Sequence, residues 1–253
     1  MRKFLDLFRF DPQKTLYVGV ERECFLLDQS GAVAPLAAQV LNKLPNDGRF
    51  GYELSACQLE ERIGPSQIDD VHRRLLENDA IIRAVEKEVG CRRLHAEVGP
   101  EDMPLDMYPD PSGRYARITE NMPRNVLLAA CRVAGTHVHI GMPNHATALK
   151  AYNRVIESCY DLCQKGDGSF GERLEIYRVI APDYDPPKYE SWKAFYETAL
   201  QKGFDKDPRR CWTLIRISVH GTLEFRMFGV TSSLDRVVSW AKLCHVLCAE
   251  AMP

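Results

Sequence analysis

The residues with the most chemical potential sit inside runs that should otherwise be apolar. Val18–Leu27 reads VGVERECFLL, Ala134–Met142 reads AGTHVHIGM, and Gly221–Phe228 reads GTLEFRMF. Successive side chains of a strand point to opposite faces, so i, i+2 spacing puts partners on one face. That spacing joins Glu21 with Glu23, His137 with His139, and Glu224 with Arg226. A fourth run, Tyr52–Glu60, adds Glu53 and Glu60. A regular strand would face these two oppositely, and a bulge or turn near Ser55–Ala56 is needed to bring them to one side.

Each run alone has an ordinary explanation. E-x-E can be a solvated strand face, H-x-H can be two hydrogen-bonded histidines or a zinc pair, and E-x-R can be a cross-strand ion pair. Four such runs in one chain, if their faces converge, make a sheet lined with carboxylates, which repels itself unless cations neutralise it. Hard oxygen ligands with one imidazole suit Mg²⁺ or Mn²⁺ better than zinc. Such a metal beside an arginine points to phosphoryl chemistry. The chain has no G-x-x-x-x-G-K-[ST] and no G-x-G-x-x-G. A nucleotide would therefore be held by metal ions and arginines on a sheet, not by a glycine-rich loop.

The elements that must position these residues are short strands and longer helices. Strand-like runs, rich in β-branched and aromatic residues, cover Thr15–Leu27, Gly51–Glu60, Leu94–Val98, Ala134–Met142, Trp212–Ser218 and Thr222–Phe228. Helical spacing of Val71, Leu75, Ile82 and Val85 predicts a helix capped by Ser66 and running to about Glu88, with Gly90 as its stop. A second helix starts near Asn144 and carries Leu149, Tyr152, Ile156, Tyr160 and Cys163. A third covers about Tyr189 to Leu200, and Ser233 caps a last one bearing Val237, Trp240, Cys244 and Leu247. Strands and helices do not alternate strictly, so the expected class is α+β with a largely antiparallel sheet.

Composition sets the remaining bounds. The chain has 253 residues, 45% apolar and 27% charged, with a formal net charge of −2. That is enough chain for a sizeable core, read here as a single domain over residues 1–253. The charge gives no sign of nucleic-acid or membrane binding. Asp6 and Arg9 interrupt the first apolar residues, so no signal peptide is expected. No apolar stretch approaches the roughly 20 residues needed to cross a bilayer. The nine cysteines include Cys159/Cys163 and Cys244/Cys248 at i, i+4 within helical patterns, which reads as buried free thiols and a cytoplasmic home.

Taken together, the motifs resemble the glutamate–cysteine ligase superfamily, including the bacterial carboxylate–amine ligases of its second type. The similarity rests on G-x-E-x-E at Gly19, Glu21 and Glu23, and on the acid-x-x-x-x-Q-x-E run at Glu53, Gln58 and Glu60. It continues through Gly113-Arg114-Tyr115 and Met122-Pro123 to GTHVHIG at Gly135–Gly141 and GTLEFR at Gly221–Arg226. The resemblance spans about residues 17–230. It implies a glutamine-synthetase-like sheet with helices packed on one face, holding ATP and two or more Mg²⁺. It implies Glu21, Glu23, Glu53, Glu60, His137 and Glu224 as metal ligands. Arg226 would contact the transferring phosphate, and Arg114 a phosphate or substrate carboxylate, as the catalytic pair. His139 and Arg173 would join them in binding the nucleotide. The implied chemistry is an ATP-dependent carbon–nitrogen ligation of a small-molecule carboxylate and amine through an acyl phosphate. The chain departs from the pattern after His139, where Ser158–Gly166 lacks an A-x-S-P-like segment and only Ser169 and Arg173 echo it. Substrate selection would lie there.

Two other readings compete. A metal-dependent hydrolase could use His137, His139 and the carboxylates to activate water without ATP. A non-catalytic binding protein could keep the same fold. The sequence leaves the substrate pair, partner proteins and a homo-oligomer open.

Overall fold

The computed structural model describes residues 1–252. Seven strands form one sheet: β1 (Val18–Leu27), β2 (Phe50–Tyr52), β3 (Gln58–Ser66), β4 (Arg92–Leu94), β5 (Thr136–Gly141), β6 (Ile215–Ser218) and β7 (Thr222–Phe228). Their order is β2-β3-β1-β5-β7-β6, with β4 beside the far half of β1, and every pairing is antiparallel. Ten α-helices accompany them among the described residues: α1 (Arg2–Leu5), α2 (Ala37–Leu41), α3 (Val71–Val89), α4 (Arg114–Thr119), α5 (Arg124–Arg132), α6 (His145–Val155), α7 (Cys159–Gly166), α8 (Glu172–Ile180), α9 (Trp192–Lys202) and α10 (Leu234–Ala251).

The period-two alternation sorts the sheet into two unlike faces. Val20, Ile63, Val138, Ile140, Leu223 and Phe225 point one way and are buried against Val71 and Leu75 of α3, Tyr152 of α6, and Val237 and Trp240 of α10. Arg22 shares that apolar face and is neutralised there by Glu61, 2.6 Å away and equally buried. The intervening residues point the other way, into a cavity. The helices therefore supply a rigid apolar backing, and the polar face is left for chemistry. Among the described residues, no helix is long and apolar enough to cross a membrane.

Several helix ends follow from local side-chain bonding. The Thr147, Ala194 and Arg236 amides donate to the side chains of Asn144, Ser191 and Ser233, capping α6, α9 and α10. Gly90, at φ 75°, ends α3 as expected. Ser66 does not cap α3. It is the last residue of β3, its hydroxyl donates to the Val18 carbonyl at 3.4 Å, and α3 begins five residues later after a 3₁₀ turn. The expected helix through Cys163 is two helices, α6 and α7, divided by a 3₁₀ turn at Ile156–Ser158. The run Gly51–Glu60 is likewise not one strand but the β2–β3 hairpin. Helices α2, α4, α5 and α8 had no clear signal in the sequence. All nine cysteines are free thiols.

Candidate active site

The antiparallel register lines up the polar residues across five strands. Glu21 stands opposite Arg62 on β3 and His137 on β5. Glu23 stands opposite Glu60. His139 stands opposite Glu224, which stands opposite Arg216. Glu53 and Glu60 reach the same side because the chain reverses between β2 and β3. The Gln58 amide donates to the Ser55 carbonyl and the Cys57 amide to the Ser55 hydroxyl, tightening that loop. The result is one cavity of about 850 Å³ lined by Glu21, Glu23, Glu53, Glu60, His137, His139, Glu224, Arg226 and Arg114.

At its centre, ligand atoms of Glu21, His139 and Glu224 lie within 4.8 Å of one another. His139 Nδ1 is 2.9 Å from the Thr222 hydroxyl, which fixes the ring. Its Nε2 is buried without a hydrogen-bond partner and lies 3.5 Å from Glu21 Oε2. That imidazole nitrogen between two carboxylates fits a divalent cation with mainly oxygen ligands. His137 is turned to the two acids of β1, with Nδ1 3.3 Å from Glu21 and Nε2 3.8 Å from Glu23. Of the two histidines, it is His139 that completes the three-atom cluster with Glu224.

The charges are strongly coupled. Burial works against the Glu21 carboxylate, yet His139 and His137 outweigh it and hold its pKa well below the usual value. Burial also opposes the charge of His139, but Glu224 and Glu21 raise its pKa. Glu224 is 1% exposed. Arg216 grips it through two bonds of 2.7 and 2.8 Å, and Arg226 through one of 2.6 Å. Burial would raise its pKa, but Arg216, His139 and Arg226 together push it far down. Glu53 and Glu60 show the reverse. Burial, then the surrounding carboxylates, lifts Glu53 well above its usual value and Glu60 to about 8, even with Arg62 beside Glu60. A cluster of acids this reluctant to ionise is one that added cations would relieve.

Arg173 departs from expectation. It does not line the cavity, and its guanidinium is buried against three backbone carbonyls. Conversely, the cavity recruits Arg62, Arg216, Trp212, His220 and Arg209, together with Tyr52, Tyr108 and Tyr115. Arg62 and Arg216 carry the same signal as the others: each is a charge at period-two spacing in its strand. Arg209 lies in a 3₁₀ turn of helix and His220 in the β6–β7 turn, where no periodicity marks a face, and Trp212, expected to open a strand, precedes β6 in irregular chain. Arg226 also lies over the Trp212 ring, 5.6 Å from its centroid.

A model of glutamate–cysteine ligase family 2 (GCS2) matches residues 17–158. A protein of Rubrobacter xylanophilus, named provisionally as glutamate–cysteine ligase 2-1, is 25% identical over 93% of this chain and 67% of its own length. A Mycobacterium sp. (strain KMS) protein, named provisionally as glutamate–cysteine ligase 2-2, is 24% identical over 89% of this chain and 66% of its own. The chain thus spans about two thirds of the length of these curated relatives. Among solved structures, a bifunctional glutathione synthetase from Pasteurella multocida superposes with a TM-score of 0.64, at 15% identity, over 99% of this chain and 40% of that one. That likeness is one of fold, and it agrees with the α+β architecture and antiparallel sheet.

Proposed function

We propose that this chain, which belongs to glutamate–cysteine ligase family 2, is an ATP-dependent carboxylate–amine ligase working on small-molecule substrates through an acyl phosphate. The observation that carries the reading is the Glu21–His139–Glu224 cluster lying directly beside Arg226 and Arg216. Carboxylates and an imidazole to hold Mg²⁺ or Mn²⁺, with two guanidiniums at the same point, are the components phosphoryl transfer requires. Glu21, His139 and Glu224 would hold one ion, and Glu23, Glu53 and Glu60 a second, with His137 facing both β1 acids. Bound there, the metal would neutralise phosphate charge and orient the terminal phosphate for attack by the substrate carboxylate.

The rest falls to the chain's own groups. Arg226 and Arg216 present planar forks that can donate two hydrogen bonds to a phosphate. Their present grip on Glu224 keeps both aimed at the cluster. Arg114 and Tyr115 line the same cavity beside the stacked Tyr52 and Tyr108 rings and would suit a substrate carboxylate. The substrates need not be glutamate and cysteine.

The test is ADP release across a panel of carboxylates, amino acids and amines with Mg²⁺ present. Glu21→Ala should abolish turnover in the responding pair while circular dichroism shows the fold retained. Near-wild-type ADP release from that variant would refute the metal cluster. Activity restored to chelated protein by zinc alone, without ATP, would favour the hydrolase instead.

A further inference from the structure

Arg173, near the start of α8, is a buried arginine at 4% exposure that the cavity does not use. Its Nε donates to the Ala134 carbonyl at 2.7 Å, and its two terminal nitrogens donate to the Met227 and Arg226 carbonyls at 3.2 Å each. The last two acceptors sit at an irregularity in the sheet. Pairing between β5 and β7 runs Val138–Phe225 on one side of it and Thr136–Phe228 on the other. Two residues of β7, Arg226 and Met227, therefore stand opposite the single residue His137. Such a bulge disrupts the ladder locally and re-aims side chains. A carbonyl left buried and unpaired is costly, and a planar fork with several donors can satisfy several at once.

The bulge is also where cavity residues take their direction. Arg226 and His137 leave it toward the cavity. Gly135, just before it, is held from two sides. Its amide donates to Glu23 Oε2 at 2.7 Å, and Arg173 packs so closely on its Cα that a Cβ there would overlap the guanidinium. One arginine thus touches the backbone that sets three functional side chains.

We propose that Arg173 is a positioning residue for the ligase chemistry, an inference that rests on the function proposed above. By capping the β7 bulge and bracing Gly135, it fixes the directions of Arg226, His137 and Glu23, without touching substrate or metal itself.

Arg173→Lys keeps the charge but cannot serve three carbonyls. With the substrate pair found by ADP release, it should lower kcat by about 100-fold, the scale of a misplacement of about 1 Å, while KM changes little. Gly135→Ala, which disturbs the same contact from the other side, should do likewise. Arg178→Lys, an exposed arginine of α8 that bonds the Tyr184 hydroxyl, should leave kcat unchanged. A second readout needs no substrate. In protein labelled with 5-fluorotryptophan, Arg173→Lys should move the ¹⁹F resonance of Trp212, over which Arg226 lies, and leave that of Trp192 in place. A kcat within twofold of wild type, a rise in KM alone, or an unmoved Trp212 resonance would each overturn the inference. Absence of ADP release from the wild type, with the Trp212 resonance still displaced by the substitution, would instead strike the ligase reading.

Discussion

Arg226 shows how much one side chain can be asked to do. It donates to Glu224, lies over Trp212 and is buried at the end of the acid cluster. A purely structural ion pair this buried would show itself in stability, and Arg226→Lys would then leave kcat unchanged. A clamp on developing phosphate charge behaves differently. Lysine retains the charge and loses the bidentate geometry, so kcat should fall by roughly 10²–10³-fold, the scale for one preorganised donor. ATP affinity, measured by calorimetry, should change far less. Unchanged kcat would return Arg226 to a structural role. This residue was legible because Glu224 and Arg226 sit two apart in an apolar run. The grip of Arg216 on the same carboxylate was not, because cross-strand register sets it.

At the scale of elements, the segment before β1 is built into the sheet's end. The Leu16 amide donates to the Gly141 carbonyl at 2.9 Å, and the Gly141 amide donates to the Tyr17 carbonyl at 2.8 Å. A Cβ on Gly141 would run into the Lys14 carbonyl, which is backbone and cannot swing aside. Gly141→Ala should therefore destabilise by about 1–3 kcal/mol through overpacking. Urea denaturation would show it, and a wild-type midpoint would mean the segment yields. The glycine that closes the H-V-H strand is thus required by a close approach of backbones. The sequence marked its position but not the segment that presses on it. The same holds for β2 and β3: the need for a turn between Glu53 and Glu60 was readable, whereas a hairpin with its own register was not.

For the whole molecule, the acid cluster predicts how stability follows pH. Glu60, pushed up to about 8, and Glu53, also raised, keep protons in the folded state that the unfolded chain releases above about 4.5. Between those values the native state binds more protons, so these groups make stability fall as pH rises. His139, raised by its carboxylates, acts in the same direction above its ordinary value of 6.5. Glu21 and Glu224, held low, act oppositely: the stability they contribute is lost as pH falls below about 4.5. In chelator, the thermal midpoint should therefore decline from about pH 5.5 to about pH 8.5. Millimolar Mg²⁺ should raise it more at the alkaline end, where the acids it would pair with are ionised. An Mg²⁺ effect equal at both ends would argue against ion binding by Glu53 and Glu60.

The sequence by itself marked Glu21 with Glu23, His137 with His139, and Glu224 with Arg226 as sharing a strand face, since a period of two follows from the extended backbone. It also determined the α+β class, the start of α6 near Asn144 and the Ser233 cap of α10, which are local. The tertiary structure alone decided what depends on neighbours distant in the chain. It made His139 the partner of Glu21 and Glu224, set Arg216 on Glu224, and spent Arg173 on the carbonyls of a bulge. Strand order and register bring those groups together, and neither is encoded in the spacing of any single strand.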